Sequence, residues 1–263
     1  MVGANNAMHD HFSQVASTYR EIRTTDIEPV SLISGALSGF DDIKIADIGC
    51  GGGRYDLLLF QQIDGLHLTC VEANQSMLEQ AVQYLTNNDV TNFDAVHATA
   101  ETLPLEDHSL HGLTTFNAIH HFDFPRFIER ALRAIDSELG KMFIYTRTPS
   151  QNSGSIWGQL FPSFAERETR LYELDEMEEM IDSVDQVRLE TTISFKYERR
   201  ATLEELIDRV RARHYSTFSL YDDSDLEEAT DIFQRNVAFT FDDPSDIAWL
   251  DENMLLVLSP GPY

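Results

Sequence analysis

Apolar residues recur along the first 145 positions in two alternating rhythms. Short apolar runs, "KIADI" (44–48), "LHLTCVEA" (66–73), "FDAVHA" (93–98), "GLTTFNAI" (112–119) and "KMFIYTR" (141–147), predict strands. Between them the spacing lengthens to that of helices. "RYDLLLFQQI" (54–63) predicts a helix ended by Asp64-Gly65, and Asn74 can cap another whose Met77, Leu78, Ala81, Val82 and Leu85 share a face. Phe124, Phe127, Ile128, Ala131, Leu132 and Ile135 give a third helix a continuous apolar side. Pro125 sits early in it, where a missing N–H is harmless, and Gly140 breaks it. Such alternation predicts a parallel sheet covered on both faces.

The second half changes rhythm. In "VRLETTISFKYE" (187–198), Val187, Leu189, Thr191, Ile193, Phe195 and Tyr197 fall on one side, which predicts a strand with one solvated face. "MLLVL" (254–258) is wholly apolar and predicts a buried strand. Between these lie two helices with capping boxes, Thr202 with Glu205 and Ser224 with Glu227. Residues 150–185 hold further helical material with Trp157, Phe161 and Phe164. The chain shows no internal repeat, low-complexity tract or long linker. A length of 263 residues is near the limit of a single core, so one large domain with an insertion is expected.

Charge narrows the partners. Nineteen basic against forty-five acidic residues leave a formal charge of −26, a field that repels phosphate backbones and anionic membranes. Neither nucleic acid nor a membrane is therefore expected as a partner. The acids are spread along the chain, which reads as a solubility coat, with a salt-adapted or cation-seeking surface as the alternative. They are densest over residues 222–252, where helical spacing of apolar positions suggests solvated helix faces. The two cysteines, Cys50 and Cys70, form no disulfide framework and read as reduced packing residues. "MVGANNAMHDHF" lacks the pattern of a secretory signal, and no run approaches the ~20 apolar residues of a membrane span, so a cytoplasmic location is expected.

Chemistry concentrates at "IADIGCGGG" (45–53), a strand leading into four glycines in five positions. The dinucleotide fingerprint Gly-x-Gly-x-x-Gly fails, because its last position falls on Arg54, and the Lys-Ser/Thr of a phosphate loop is missing. What remains, Gly49-x-Gly51-x-Gly53, lets a ligand touch the main chain without offering a pyrophosphate seat. Asp47 and Glu72 end the first and second strands at the carboxyl edge, where doubly wound sheets bind ligands. Glu72 can accept two hydrogen bonds from a ribose diol, and Asp47 can face a cationic group directly or through water. These acids also suit NAD, but the missing third glycine and the short turn count against it.

Taken in order, "IADIGCGGG", "VEANQSML", "AETLPLEDHSLHGL" and "FNAIHHF" resemble a class I S-adenosylmethionine-dependent methyltransferase, nearest to the broad small-molecule group that includes the ubiquinone/menaquinone C-methyltransferases. The resemblance covers about residues 8–147. It implies a Rossmann-like, doubly wound seven-stranded sheet with an antiparallel last strand. Residues 1–149 would be the cofactor-binding half of a single domain, and 150–263 would supply C-terminal strands with helical insertions on the substrate side. The resemblance also assigns roles. Gly49, Gly51 and Gly53 approach the methionine part of S-adenosylmethionine, Glu72 holds the ribose, and Ala73 and Met77 line the adenine. Ala100 offers its backbone to the adenine ring, with Thr99 and Glu101 beside it, and Phe116 and Asn117 end the fourth strand near the amino-acid moiety. "ASTYREIRT" resembles an amino-terminal Tyr-x-x-x-Arg lid, so Tyr19 and Arg23 could reach the cofactor carboxylate. Two positions depart from the family: Thr99 replaces an Asp that commonly bonds the adenine amino group, and His111 replaces an Asp before the fourth strand.

Methyl transfer from a sulfonium needs alignment above all, and a base only where the acceptor must lose a proton. His121, following the fourth strand with His120, is the candidate base or acceptor anchor; helix-entry packing or capping is the alternative. Arg147 could bind an acidic acceptor or pair with surface carboxylates. His214, Tyr215 and Phe218 in "RARHYSTFSLY" form a possible substrate wall, or else a helix end packed on Trp157 and Phe161. No His/Cys cluster has zinc spacing, and the His9/His11 pair reads as solvated, so no metal is expected. The expected partner is a small-molecule acceptor, with the protein monomeric or a homodimer. A cofactor-binding sensor or scaffold, or a protein or RNA methyltransferase, is the alternative.

Overall fold

The structure is a computed structural model that describes residues 24–136 and 138–261; Tyr19, Arg23 and the His9/His11 pair lie outside these residues. The apolar runs form β1 (Lys44–Ile48), β2 (His67–Glu72), β3 (Phe93–His97), β4 (Gly112–Phe116) and β5 (Lys141–Thr146). With β6 (Val187–Ala201) and β7 (Ile247–Pro260) they make one seven-stranded sheet in the order β3-β2-β1-β4-β5-β7-β6. The first five strands pair in parallel, and β7 runs antiparallel to β5, from Met142 opposite Leu258 to Thr146 opposite Met254. The Rossmann-like sheet with a reversed strand is thus present. Central β4 is buried at every residue, whereas edge strand β3 has no fully buried residue, which is why the first reads as a continuous apolar run and the second does not.

The order reverses direction at β1, flanked by β2 and β4, and this is the switch point where an open sheet leaves a crevice at its carboxyl edge. Helices α1 (Ile27–Leu37), α2 (Arg54–Gln62), α3 (Gln75–Asn87) and α4 (Phe124–Ala134) belong to the same part of the chain. Asn74 caps α3 by accepting the Met77 N–H at 3.1 Å, and Asp123 caps α4, with Pro125 in the first turn.

The chain forms two compact units. One comprises Thr24–Thr146, Leu174–Ile193 and the segment from Met254, and so contains β1 to β5. The described part of the other comprises Arg147–Glu173 and Ser194–Asn253. In this second unit are α5 (Pro149–Gly154), α6 (Ile156–Leu160), α7 (Phe164–Arg167), α9 (Leu203–Arg211) and α10 (Asp223–Thr240), while α8 (Leu174–Asp182) belongs to the first. Its core is aromatic: the Trp157 ring stacks on Phe233 at 5.2 Å and meets the edge of Phe218 at 5.4 Å, with Phe161 and Phe164 beside it.

Thr202 and Glu205 form the expected capping box. Ser224 does not cap its helix. Asp222 does, accepting the Asp225 N–H at 2.8 Å, because a carboxylate is the stronger acceptor and suits the positive end of the helix. The acidic stretch 222–252 is helical only to Thr240, and from Ile247 it enters β7. The β6 alternation also slips: Thr191 is exposed and Thr192 half-buried, a position where threonine's methyl and hydroxyl suit either side. Both cysteines are free and buried. Among the described residues no helix is long and apolar enough to cross a membrane.

Truncating Trp157 removes the ring on which the second unit's core is built. Trp157→Ala is expected to cost about 3–5 kcal/mol in chemical denaturation followed by circular dichroism.

Candidate cofactor site

The turn after β1 is stitched to the neighbouring strand. The N–H groups of Gly49 and Cys50 donate to the Val71 carbonyl at 2.8 and 3.1 Å, and Gly53 closes back on the Cys50 carbonyl at 3.1 Å. Gly49, Gly51 and Gly53 all have left-handed backbones, with φ of 74°, 58° and 82°. Two of them are also sterically required. A Cβ at Gly49 would stand 2.8 Å from that of Ala118, and one at Gly53 would stand 3.1 Å from the Ala81 Cα on α3. Glu72 clasps this corner from the end of β2. One carboxylate oxygen accepts the Gly51 N–H at 3.0 Å and the other the Asn74 N–H at 2.8 Å. Two main-chain bonds, one to each oxygen, fix the orientation of the carboxylate.

Beneath the corner lie two carboxyl groups. Asp47, 1% exposed, accepts the Thr114 hydroxyl at 2.8 Å. Asp56, in the first turn of α2, is 0% exposed, and neither of its oxygens has a hydrogen-bond donor. Burial, then the charge of Asp56, pushes the Asp47 carboxyl well above the usual carboxylate range. Burial, then the neighbouring Cys70, does the same to Asp56. Contact with Cys70 and burial push the Cys50 thiol up.

The end of β4 is braced aromatically. Phe116 stacks on Tyr55 at 4.0 Å, with the rings 6° from parallel. The Tyr145 hydroxyl donates to the Asp26 carboxylate at 2.7 Å, and the Asp26 N–H donates to the Tyr55 hydroxyl at 3.3 Å. Asn117 follows with φ of 53°, its N–H on the Tyr145 carbonyl at 2.7 Å. Left-handed backbone at a non-glycine residue is uncommon and concentrates at functional positions. His120 and His121 stand with their rings 4.0 Å apart on a single 3-10 turn, and His121 is exposed.

In the loop after β3, Ala100 is buried and Thr99 is exposed, its hydroxyl 3.0 Å from that of Thr102. Glu101 accepts the Asp123 N–H at 3.0 Å and so ties this loop to the start of α4. Ala73 is exposed and Met77 buried on α3. The departure at His111 concerns turn geometry: its ring nitrogen accepts the Lys44 N–H at 3.0 Å, and the ring stacks on Phe40 at 4.3 Å.

The second unit contains Arg147, His214 and Tyr215. Arg147 Nε donates to Asn253 at 3.0 Å, and its guanidinium lies 3.9 Å from Asp251 and 5.6 Å from the centre of the Tyr215 ring. Arg199 approaches the same Asp251 oxygen at 3.7 Å. His214 is buried, its Nδ1 3.1 Å from the Arg209 carbonyl and its ring 5.2 Å from Trp157. A cavity of about 740 Å³ in this unit is lined by Ile156, Leu160, Phe241 and Trp249, with Glu198 and Glu252 as its acids.

Sequence reasoning passed over Asp56, Tyr55, Arg199 and Asp251. For Asp56 a signal existed: with Leu59 and Ile63 it falls at i, i+3 and i+7, on the stripe that faces inward.

Residues 45–138 match a family model described as a methyltransferase domain. The uncharacterized methyltransferase YcgJ of Bacillus subtilis is 26% identical over 134 residues, 51% of this chain and 52% of that protein, so the chain spans about half the length of the curated relative it matches. The fold is also similar to the crystal structure of YcgJ, with a TM-score of 0.62 at 17% identity over 89% of this chain and 99% of that one. Geranyl diphosphate C-methyltransferase from Streptomyces coelicolor, in complex with Mg2+, geranyl diphosphate and S-adenosyl-L-homocysteine, gives a TM-score of 0.54 at 11% identity over 88% and 78% of the two chains. Residues 45–138 thus form a methyltransferase domain, and the sheet order is the Rossmann-like arrangement shared with these structural neighbours.

Proposed function

We propose that the protein transfers a methyl group from S-adenosylmethionine to a small organic acceptor. The observation that carries this reading is the clasp of Glu72 on a corner of three left-handed glycines, which presents bare main chain and an oriented carboxylate without a pyrophosphate seat. That donor set suits a nucleoside joined to an amino acid. The Glu72 carboxylate, held at the end of β2, would accept from a ribose diol. Gly49, Gly51 and Gly53 admit the amino-acid tail, with Asp47 beneath them and Phe116 and Asn117 closing that end. Met77, Ala73, Thr99, Ala100 and Glu101 would border the adenine, and Tyr19 and Arg23 would reach the cofactor carboxylate.

When bound, the cofactor supplies an activated methyl on a sulfonium. The chain's own task is then to hold an acceptor in line and to exclude water, an effect that reaches ~7–11 kcal/mol where alignment is good. His121, exposed on its 3-10 turn, would take a proton from an acceptor that must lose one. Arg147 and Tyr215, a guanidinium beside an aromatic face, suit an acceptor that combines an acidic group with an apolar body, and His214 packs behind them. The similar Streptomyces coelicolor enzyme has a small acceptor of that general kind, an anionic head on an apolar chain, in its structure. The formal charge of −26 speaks for small molecules over nucleic acid.

Calorimetry with S-adenosylhomocysteine tests the first half. Glu72→Ala removes two charge-assisted contacts and is expected to weaken binding about 10- to 100-fold, and unchanged affinity would displace the ribose from this position. Incubating the protein with cell extract and methyl-labelled cofactor tests the second half. Label should appear in the small-molecule fraction, and label confined to precipitable protein or RNA would refute the small acceptor.

A further inference from the structure

Two buried carboxyl groups in one place need an explanation, and Asp56 needs it most. It is 0% exposed, its oxygens lack a donor, and it stands where the inward face of α2 is otherwise apolar. An ionised carboxylate only accepts hydrogen bonds, so Asp47 and Asp56 can bond to each other only through a proton. Without a cation beside them, two such groups side by side in a buried site are not both ionised. The start of a helix favours negative charge, but that effect is modest and here opposes the cost of burial.

We infer that Asp47 and Asp56 share a proton beneath the glycine corner and release it when the cofactor's amino-acid end is seated above, so that Asp56 is a positioning residue setting the charge of that floor. The inference rests on the cofactor reading proposed above. The balance is simple: the carboxylic acid gives its proton to solvent, leaving two carboxylates to face the ammonium of the cofactor's amino-acid end, and no bond to the cofactor forms or breaks. Among the described residues, the groups facing the pair are Cys50 from the turn, Cys70 and Glu72 from β2, and Thr114 from β4. None of them brings a positive charge. A cationic ligand is therefore the component that makes ionisation favourable, and proton release couples its arrival to the floor's charge. An apolar or small residue at 56 would leave Asp47 alone, with a weaker hold on its proton. Asp56 thereby tunes where on the pH scale the cofactor binds.

The sign follows from linkage. Both carboxyls have raised values in the folded chain, so the stability they give is fully present in acid, below the ordinary carboxylate range, and is lost as pH rises through the raised values. Binding that releases a proton becomes tighter as pH rises, by up to tenfold per pH unit.

The test is calorimetric titration of the full chain with S-adenosylhomocysteine, between pH 5 and 9, in phosphate and in Tris, whose ionisation enthalpies differ. Wild type should release up to one proton per ligand, and affinity should climb with pH. In Asp56→Asn the climb should move to lower pH, and the variant's melting temperature should gain on wild type progressively as pH rises. Carbon-13 spectra of wild type labelled at aspartate carboxyls give a readout that needs no variant: two coupled carboxyls titrating above the ordinary range, and shifting down on ligand addition. Binding without proton release, or the same release in Asp56→Asn, overturns the shared proton while leaving the cofactor reading intact. Failure of wild type to bind the ligand at all overturns the cofactor reading, and this inference with it.

Discussion

The carboxylate of Glu72 bonded to the Gly51 N–H is the constraint on which the site depends. A glycine-rich turn is entropically expensive to order, since glycine loses more conformational freedom than any other residue. Here the cost is offset from three sides. β2 supplies the Val71 carbonyl and the Glu72 carboxylate, α3 packs Ala81 against Gly53, and Ala118 closes over Gly49. Each contact comes from a segment near the carboxyl edge of the sheet, so the turn is rigid only because the parallel strands align their ends there. In the proposed cofactor site the same carboxylate would both fix the turn and meet the ribose.

That economy explains why the residues around the corner are mainly structural. Glu101 ties the β3 loop to α4, and His111 ties its own turn to the start of β1. Phe116, Tyr55, Tyr145 and Asp26 brace the end of β4 through stacking and two hydrogen bonds. A methyl transfer asks for position before proton chemistry, so a scaffold of this kind needs few groups that touch the reacting atoms. The second unit contrasts with this. Its core is a cluster of aromatic rings around Trp157, and its Asp251 is approached by two guanidiniums, neither at hydrogen-bond distance.

Strand positions in the first unit were legible because a parallel sheet buried on both faces leaves uninterrupted apolar runs, and β1 to β5 fall within a residue or two of those runs, apart from "GLTTFNAI", whose last three residues lie past the end of β4. Caps were legible only where one frame was possible. Thr202 and Glu205 had no rival, but Asp222 and Asp225 compete with Ser224 and Glu227 two residues on, and propensity alone does not separate them. The glycine corner and Glu72 could be read from type and spacing, because those contacts are main-chain contacts that sequence encodes locally. Asp56 could not be read so easily. Its partner Asp47 lies nine positions earlier across a turn, and an acid within "RYDLLLF" is assigned by habit to the solvent face until the buried stripe is identified. The pairing of Arg147 and Arg199 with Asp251 joins residues about fifty positions apart or more, which no local pattern specifies.

The chain's acidity bears on the same site from a distance. Forty-five acids against nineteen basic residues create a negative potential that favours cationic ligands and disfavours polyanions, though salt screens it beyond about 10 Å at 0.1 M. Such a field also makes any buried carboxylate dearer to ionise. The two effects pull on Asp47 and Asp56 in a consistent way: the pair keeps its shared proton, and a positive ligand is drawn toward it. A surface coat that looks merely solubilising thus acts on the chemistry beneath the glycine corner, because burial leaves little solvent to screen the pair. The local dyad and the global charge are then two scales of one electrostatic arrangement, with the ligand's positive charge as the term that reverses it.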